Sequence, residues 1–123
     1  MAKFASDTFL DKPLDYISGS VDRQIACSSS PASYTEAAST YFLAGATMSP
    51  ASFTKSNGDT NGRKIRSASV SASVINTGDA THVAYVSDSG SLLIYYTSCT
   101  TQTLTASNTV NFPAWDIEIA DPV

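Results

Sequence analysis

Charge is what this 123-residue chain has least of: Lys, Arg, Asp and Glu together make up 15% of it, against roughly 25% in ordinary soluble domains. Seven basic residues stand against eleven acidic ones, a formal net charge of −4. Binding a nucleic-acid backbone requires clustered cations that displace counterions. The one short basic run here is Arg63-Lys64-Ile65-Arg66, so nucleic acid is excluded as a partner. Alternation about Ile65 puts Lys64 and Arg66 on one face, which reads as a solvated strand edge. Long apolar runs are missing as well. None approaches the ~20 residues that span a bilayer, so no membrane partner is expected. The start, Met1 to Asp7, lacks the apolar core of a signal peptide, so synthesis and folding in a cytoplasm are expected.

Chemistry-bearing residues are equally sparse. His82 is the single histidine and no Gly-x-Ser-x-Gly elbow occurs, which removes the usual frame of a hydrolase triad. Asp116 and Glu118 share one strand face, and a solvated face explains them as well as a glycosidase pair does. The two cysteines, Cys27 and Cys99, each lie in an apolar strand-like context; in a reducing compartment they read as free buried thiols, with a disulfide between them as the alternative, and with no histidine beside them they suggest no metal. Asn57-Gly58-Asp59-Thr60-Asn61-Gly62 copies the first half of a calcium loop. Its twelfth position is Ala68 where a bidentate Glu is required, so the segment reads as a turn whose exposed tip can touch a neighbour. No catalytic residue, no cofactor and no metal is therefore expected, and the chain reads as a non-enzyme.

What is abundant is hydroxyl. Ser and Thr make up roughly a quarter of the residues, as in Ser67-Ala68-Ser69-Val70-Ser71-Ala72-Ser73-Val74, and give a neutral surface of short side chains that lose little entropy on ordering. Apolar residues, 42% of the chain, are enough for one core, so residues 1–123 are expected to form a single domain. Phe9/Leu10, Pro13/Leu14 and Ile17 recur at helical spacing over 9–18 and stop at Ser18-Gly19-Ser20. Pro13 belongs in a first turn, so the helix is expected from near Asp11, with residues 1–8 as an extended arm carrying Phe4. Thr35 is placed as the cap of a helical turn through Ser39.

The body, residues 21–120, reads as β. Strands are expected over Val21 to Ser28, Tyr41 to Met48, Arg63 to Ile75, His82 to Ser87, Leu92 to Ser98, Thr103 to Thr105 with Thr109 to Phe112, and Trp115 to Ala120. Asn76-Thr77-Gly78-Asp79 and Ser87-Asp88-Ser89-Gly90-Ser91 read as hairpins, giving a meander. Trp115, Ile117 and Ile119 alternate with Asp116 and Glu118, the pattern of a half-buried antiparallel strand. The fold class is mainly β: an antiparallel β-sandwich or partly open barrel with a short N-terminal helix. Tyr95 and Tyr96 are adjacent, so at least one points away from the core and offers a rigid interface anchor. The interface candidates are thus Phe4, Asn57, Asp59, Asn61, Tyr95 and Tyr96.

The order Leu14-Asp15-Tyr16-Ile17, Ile25-Ala26-Cys27-Ser28, Ser33-Tyr34-Thr35-Glu36-Ala37, Gly58-Asp59-Thr60-Asn61-Gly62-Arg63-Lys64, Ala80-Thr81-His82-Val83-Ala84 and Phe112-Pro113-Ala114-Trp115-Asp116-Ile117-Glu118-Ile119 spans nearly the whole chain. In that order it resembles a family of small structural proteins encoded by tailed bacteriophages. The resemblance implies a virion component, with capsid decoration (cement) as the role: binding the outer surface of the major capsid protein lattice and stabilising the head. It further implies a homo-oligomer, often a trimer at a local symmetry axis, on the capsid exterior. A tail-associated or head-fibre base protein and a host-surface or carbohydrate-binding module are the alternative readings.

Overall fold

The computed structural model describes residues 6–59 and 62–119. Leu10, Leu14, Ile17 and Val21 fall on one side of a helix and are all buried, which draws helix α1 out to Asp7–Ser20, both earlier and later than the sequence suggests. Ser6 is its cap, the side-chain oxygen accepting from the Phe9 N–H at 3.1 Å. Residues 6–8 are therefore cap and first turn, not extended arm; Phe4 and the rest of the expected arm lie outside the described residues. Pro13 sits in the helix interior and forfeits a backbone bond there, because burial of the Leu10–Leu14–Ile17 stripe outweighs that loss. Phe9, expected on the buried face, is 68% exposed.

The chain is mainly β, with antiparallel sheets and no closed barrel. Strands β1 (Arg23–Cys27), β2 (Phe42–Thr47), β6 (Gly78–Ser87) and β7 (Leu92–Leu104) make a four-stranded sheet in the order β2-β1-β6-β7. A second sheet joins β3 (Phe53–Asn57), β4 (Arg63–Ser67) and β9 (Asp116–Ile119), and a third pairs β5 (Val70–Ser73) with β8 (Thr109–Phe112). The large sheet is covered on both faces, which is why β1 is buried at four successive positions and does not alternate. Ile25, Cys27, Ala84 and Val86 pack on one side under a π-helical turn, Glu36–Thr40, that buries Ala37. The Ser33 hydroxyl, not Thr35, bonds the first N–H of that turn, Glu36, at 3.3 Å; Thr35 is itself helical and its side chain caps nothing.

On the other side lie two cores. Ala26, Ala44 and Leu104 meet Val74, Val110 and Phe112 from the small sheet and its flank. Tyr85 and Met48 meet Leu14 and Ile17 of α1 and Ile65 of β4, with Trp115, Ile117 and Ile119 packed against them. The alternation expected at the C-terminal strand is present in β9, which pairs antiparallel with β4.

Three expectations are overturned. The single strand Arg63 to Ile75 is two strands in different sheets: at the break, the Ala68 N–H bonds the Ser52 carbonyl at 2.7 Å and Ser67 is tied to Trp115, so the chain leaves one core for the other. Asn76 to Asp79 is not a hairpin, because Ile75 and Asn76 donate to the Leu43 carbonyl and anchor the segment on β2; a meander is replaced by crossings between sheets. The residues from Leu92 through Leu104 form one strand, and β3 is a strand the sequence does not announce. Through the bridge Ala44–Val74 the small sheet meets the outer edge of β2, giving a running order β8-β5-β2-β1-β6-β7 that is open between its two ends.

Candidate functional site

None of the 13 residues of β7 is charged, and none is proline or glycine. As the last strand of its sheet it pairs, among the described residues, with β6 alone, so a row of backbone N–H and C=O groups faces outward. Natural sheets blunt such edges with Lys, Pro or bulges. β7 has bulges only: Ile94 is extra between the pairs Tyr85–Tyr95 and Val86–Leu93, and Cys99 to Thr101 swell out opposite Thr81, between Ala80–Gln102 and His82–Ser98.

The next strand does not return to cover this edge. In the turn after β7, Ser107 takes a left-handed φ of 76° and donates to the Val74 carbonyl at 2.9 Å, while the Val74 N–H bonds the Asn108 carbonyl at 2.8 Å. Those two bonds commit β8 to β5. A cleft of about 270 Å³ opens between the diverging strands, with Cys99, Thr100 and Gln102 of β7 on one wall and Val110 and Asn111 of β8 on the other. It adjoins a cavity of about 350 Å³ that runs under Pro113 to Trp115 and reaches Gln24. Val83, Cys99, Phe112 and Pro113 line both, and among the described residues no charged side chain lines either.

Gln24 is 1% exposed, and its Oε1 has no hydrogen-bond partner among the described residues. Leaving a buried amide oxygen unpaired costs about 1–3 kcal/mol. Cys99 is exposed, contrary to its reading as a buried thiol, because the bulge turns this stretch of β7 outward; burial still pushes its thiol pKa up. Cys27 is buried, its thiol raised to about 12 chiefly by desolvation.

Tyr95 and Tyr96 are 38% and 45% exposed and point to opposite faces of β7. Tyr95 rests 6.0 Å from Trp115, which stacks on Tyr85 at 4.8 Å; Tyr96 lies edge-on to His82 at 6.0 Å. One flat surface cannot take both tyrosines, but a partner straddling the edge can. The other candidates are remote in the fold, at the β3–β4 connection. There Asn57 accepts from Arg63 at 2.8 Å and Asp59 pairs with Lys64 at 2.7 Å, so the oxygens that suggest a calcium loop are taken by cations. Asp59 remains 74% exposed at its side chain; Asn61 lies outside the described residues.

The basic run is not an edge but the central strand of its sheet, and it is neutralised in place. Arg63 pairs with Asp11 of α1 at 2.8 Å, and Lys64 and Arg66 share Asp116 at 3.6 and 3.0 Å. His82 Nδ1 is 2.9 Å from the Thr81 hydroxyl and is bonded to no serine among the described residues. No three metal-binding side chains gather among the described residues, and no helix there is long and apolar enough to cross a membrane.

Sequence reasoning finds Tyr95 and Tyr96 but misses Gln24, whose only signal is a lone amide leading the apolar run Ile25-Ala26-Cys27. Compared with protein-family models, curated proteins and solved structures, the chain matches none.

Proposed function

We propose that this chain is a non-enzymatic structural protein of a tailed-phage virion, a capsid decoration protein that binds the outer surface of the major capsid protein lattice through the edge of β7. The observation that carries the docking role is that edge: 13 uncharged residues, roughly 40 Å of unpaired backbone, flanked by half-exposed Tyr95 and Tyr96. Adding a partner strand there supplies main-chain hydrogen bonds for affinity, while the side chains on alternate faces supply selectivity. The hydroxyl-rich, weakly charged surface suits many individually modest contacts, and the assignment to a virion rests on the resemblance described above. The reading includes a homo-oligomer on the particle, of which a trimer is the expected form, and no nucleic-acid or membrane partner.

Stoichiometry tests it. Quantified against the major shell protein in purified particles, a decoration protein is present in hundreds of copies. A handful of copies would instead assign it to the tail or a head-fibre base, and absence from particles would overturn the virion reading in favour of a host-surface module.

A further inference from the structure

The Gln24 amide stands on the inner face of β1, in register with Tyr85 on one side and Ala46 on the other, where an apolar residue of the same size would fit without leaving an acceptor unpaired. Its oxygen is the buried side-chain atom without a partner among the described residues, and the residue lines the 350 Å³ cavity. The walls are Val83, Phe112, Pro113 and Trp115, with Thr97, Ser98 and the exposed Cys99 of β7 along the remaining side. The volume is that of a small-ligand site, and mostly apolar walls with a few placed polar groups, of which the Gln24 oxygen is the buried and unpaired one, are how such sites combine affinity with orientation.

We propose that this cavity binds a small neutral aromatic molecule carrying one hydrogen-bond donor, such as a phenol, with the ring against Trp115, Phe112 and Pro113 and the donor on Gln24 Oε1. Neutrality follows from the lining, which among the described residues offers no charge to pair with an ion. The donor follows from the acceptor left unpaired on a side chain that lines the cavity, and a ring fits walls that are themselves two rings and a proline. Thr97, Ser98 and Cys99 belong to β7, but occupancy of the cavity is read on the free chain and docking on particles, so either reading can fail without the other.

The chain contains a single tryptophan, and it is a wall of the cavity, so its fluorescence reports occupancy directly. The full chain is titrated with p-cresol and with toluene, which differ by the hydroxyl, and the alkylation rate of Cys99 is followed in parallel. The expected result is saturable quenching or shift by p-cresol, at least tenfold tighter than toluene, with Cys99 protected at the same concentrations. In Gln24→Met, which keeps the length and removes the acceptor, toluene binding is expected to persist and the tenfold preference to vanish. No saturation by p-cresol, which would leave an ordered water as the partner of Gln24, overturns the proposal, as does a preference that survives Gln24→Met. If that variant does not fold, Cys99→Phe decides by filling the β7 side: both ligands are expected to lose binding, and unchanged p-cresol affinity overturns the site.

Discussion

Arg23 and Asp88 meet fork to fork: Nε lies 2.7 Å from Oδ2 and Nη2 2.9 Å from Oδ1, and the Tyr34 hydroxyl donates to the same Oδ1 at 2.8 Å. One carboxylate thereby ties β1, the β6–β7 turn and the segment entering the π-helical turn. The bond from Arg23 is the largest influence on Asp88 and holds its pKa below the ordinary carboxylate value; the Tyr34 bond acts in the same direction.

Asp88→Asn is therefore expected to destabilise the chain by about 1–2 kcal/mol at neutral pH, a figure discounted because both side chains are partly solvated. The pH dependence has a definite sign. A carboxylate with a depressed folded pKa contributes fully above its unfolded value, about 3.9, and that contribution drains as pH falls through the lower folded value. Urea midpoints measured from neutral pH into acid should converge between wild type and Asp88→Asn below about pH 4. Parallel curves down to the lowest pH would show that the charge on Asp88 is not the source of the difference.

The aromatic run Phe53–Tyr85–Trp115–Tyr95 bridges the large sheet and the β4–β9 sheet, and Tyr85, at 1% exposure, is its centre. Tyr85→Ala removes the stack on Trp115 and the edge contact to Phe53 together, and is expected to cost about 3–5 kcal/mol. Trp115→Ala is expected to cost less, about 2–4 kcal/mol, because Trp115 is only partly buried. Chemical denaturation followed by far-UV circular dichroism gives both values, and a smaller loss for Tyr85→Ala than for Trp115→Ala would contradict this order.

The two thiols should behave differently. A disulfide reagent is expected to titrate one thiol in the native chain, Cys99, and the second only on unfolding, since Cys27 is fully enclosed and its pKa is raised to about 12. A raised folded pKa stabilises below the unfolded value, about 8.5 for a thiol, and that stability is lost as pH climbs toward the folded value. Tyr85, raised to about 12 by burial, adds to the same alkaline loss above its ordinary value of about 10. Cys27→Ala should flatten the stability curve above about pH 9 relative to wild type, whereas two native-state equivalents of reactive thiol would refute the burial of Cys27.

Legibility from sequence follows contrast. β9 is readable because Trp115, Ile117 and Ile119 alternate with two carboxylates, and the β6–β7 hairpin because Ser-Asp-Ser-Gly separates two apolar runs. The break between β4 and β5 is not, since Ser67-Ala68-Ser69-Val70 alternates smoothly through it and the interruption is imposed by Ser52 and Trp115, both distant in the chain. β3 is hidden because only Phe53 of its five residues is a large apolar group. At the site, adjacency alone shows that Tyr95 and Tyr96 diverge, but the orphaned Gln24 oxygen depends on what the neighbouring strands fail to present, which no local pattern encodes.

The β7 edge gives the sharpest test of docking, because a charge can be placed on it without disturbing the core. Thr101 is exposed and lies in the Cys99 to Thr101 bulge, and Tyr96 is exposed on the face away from Trp115. Lysine is the side chain with which natural sheets guard an edge, since pairing with another strand would bury its ammonium group. Thr101→Lys should leave the denaturation midpoint within about 0.5 kcal/mol of wild type. Under the proposed docking on a capsid lattice, combining it with Tyr96→Lys should weaken attachment by at least about tenfold, equivalent to ~1.4 kcal/mol. The check is a pair of measurements on the same protein, unfolding free energy and occupancy on reconstituted particles. Loss of occupancy at constant stability places the contact on β7, whereas full occupancy with both lysines present would move the interface to another face, the Asn57–Asp59 loop being the next to test.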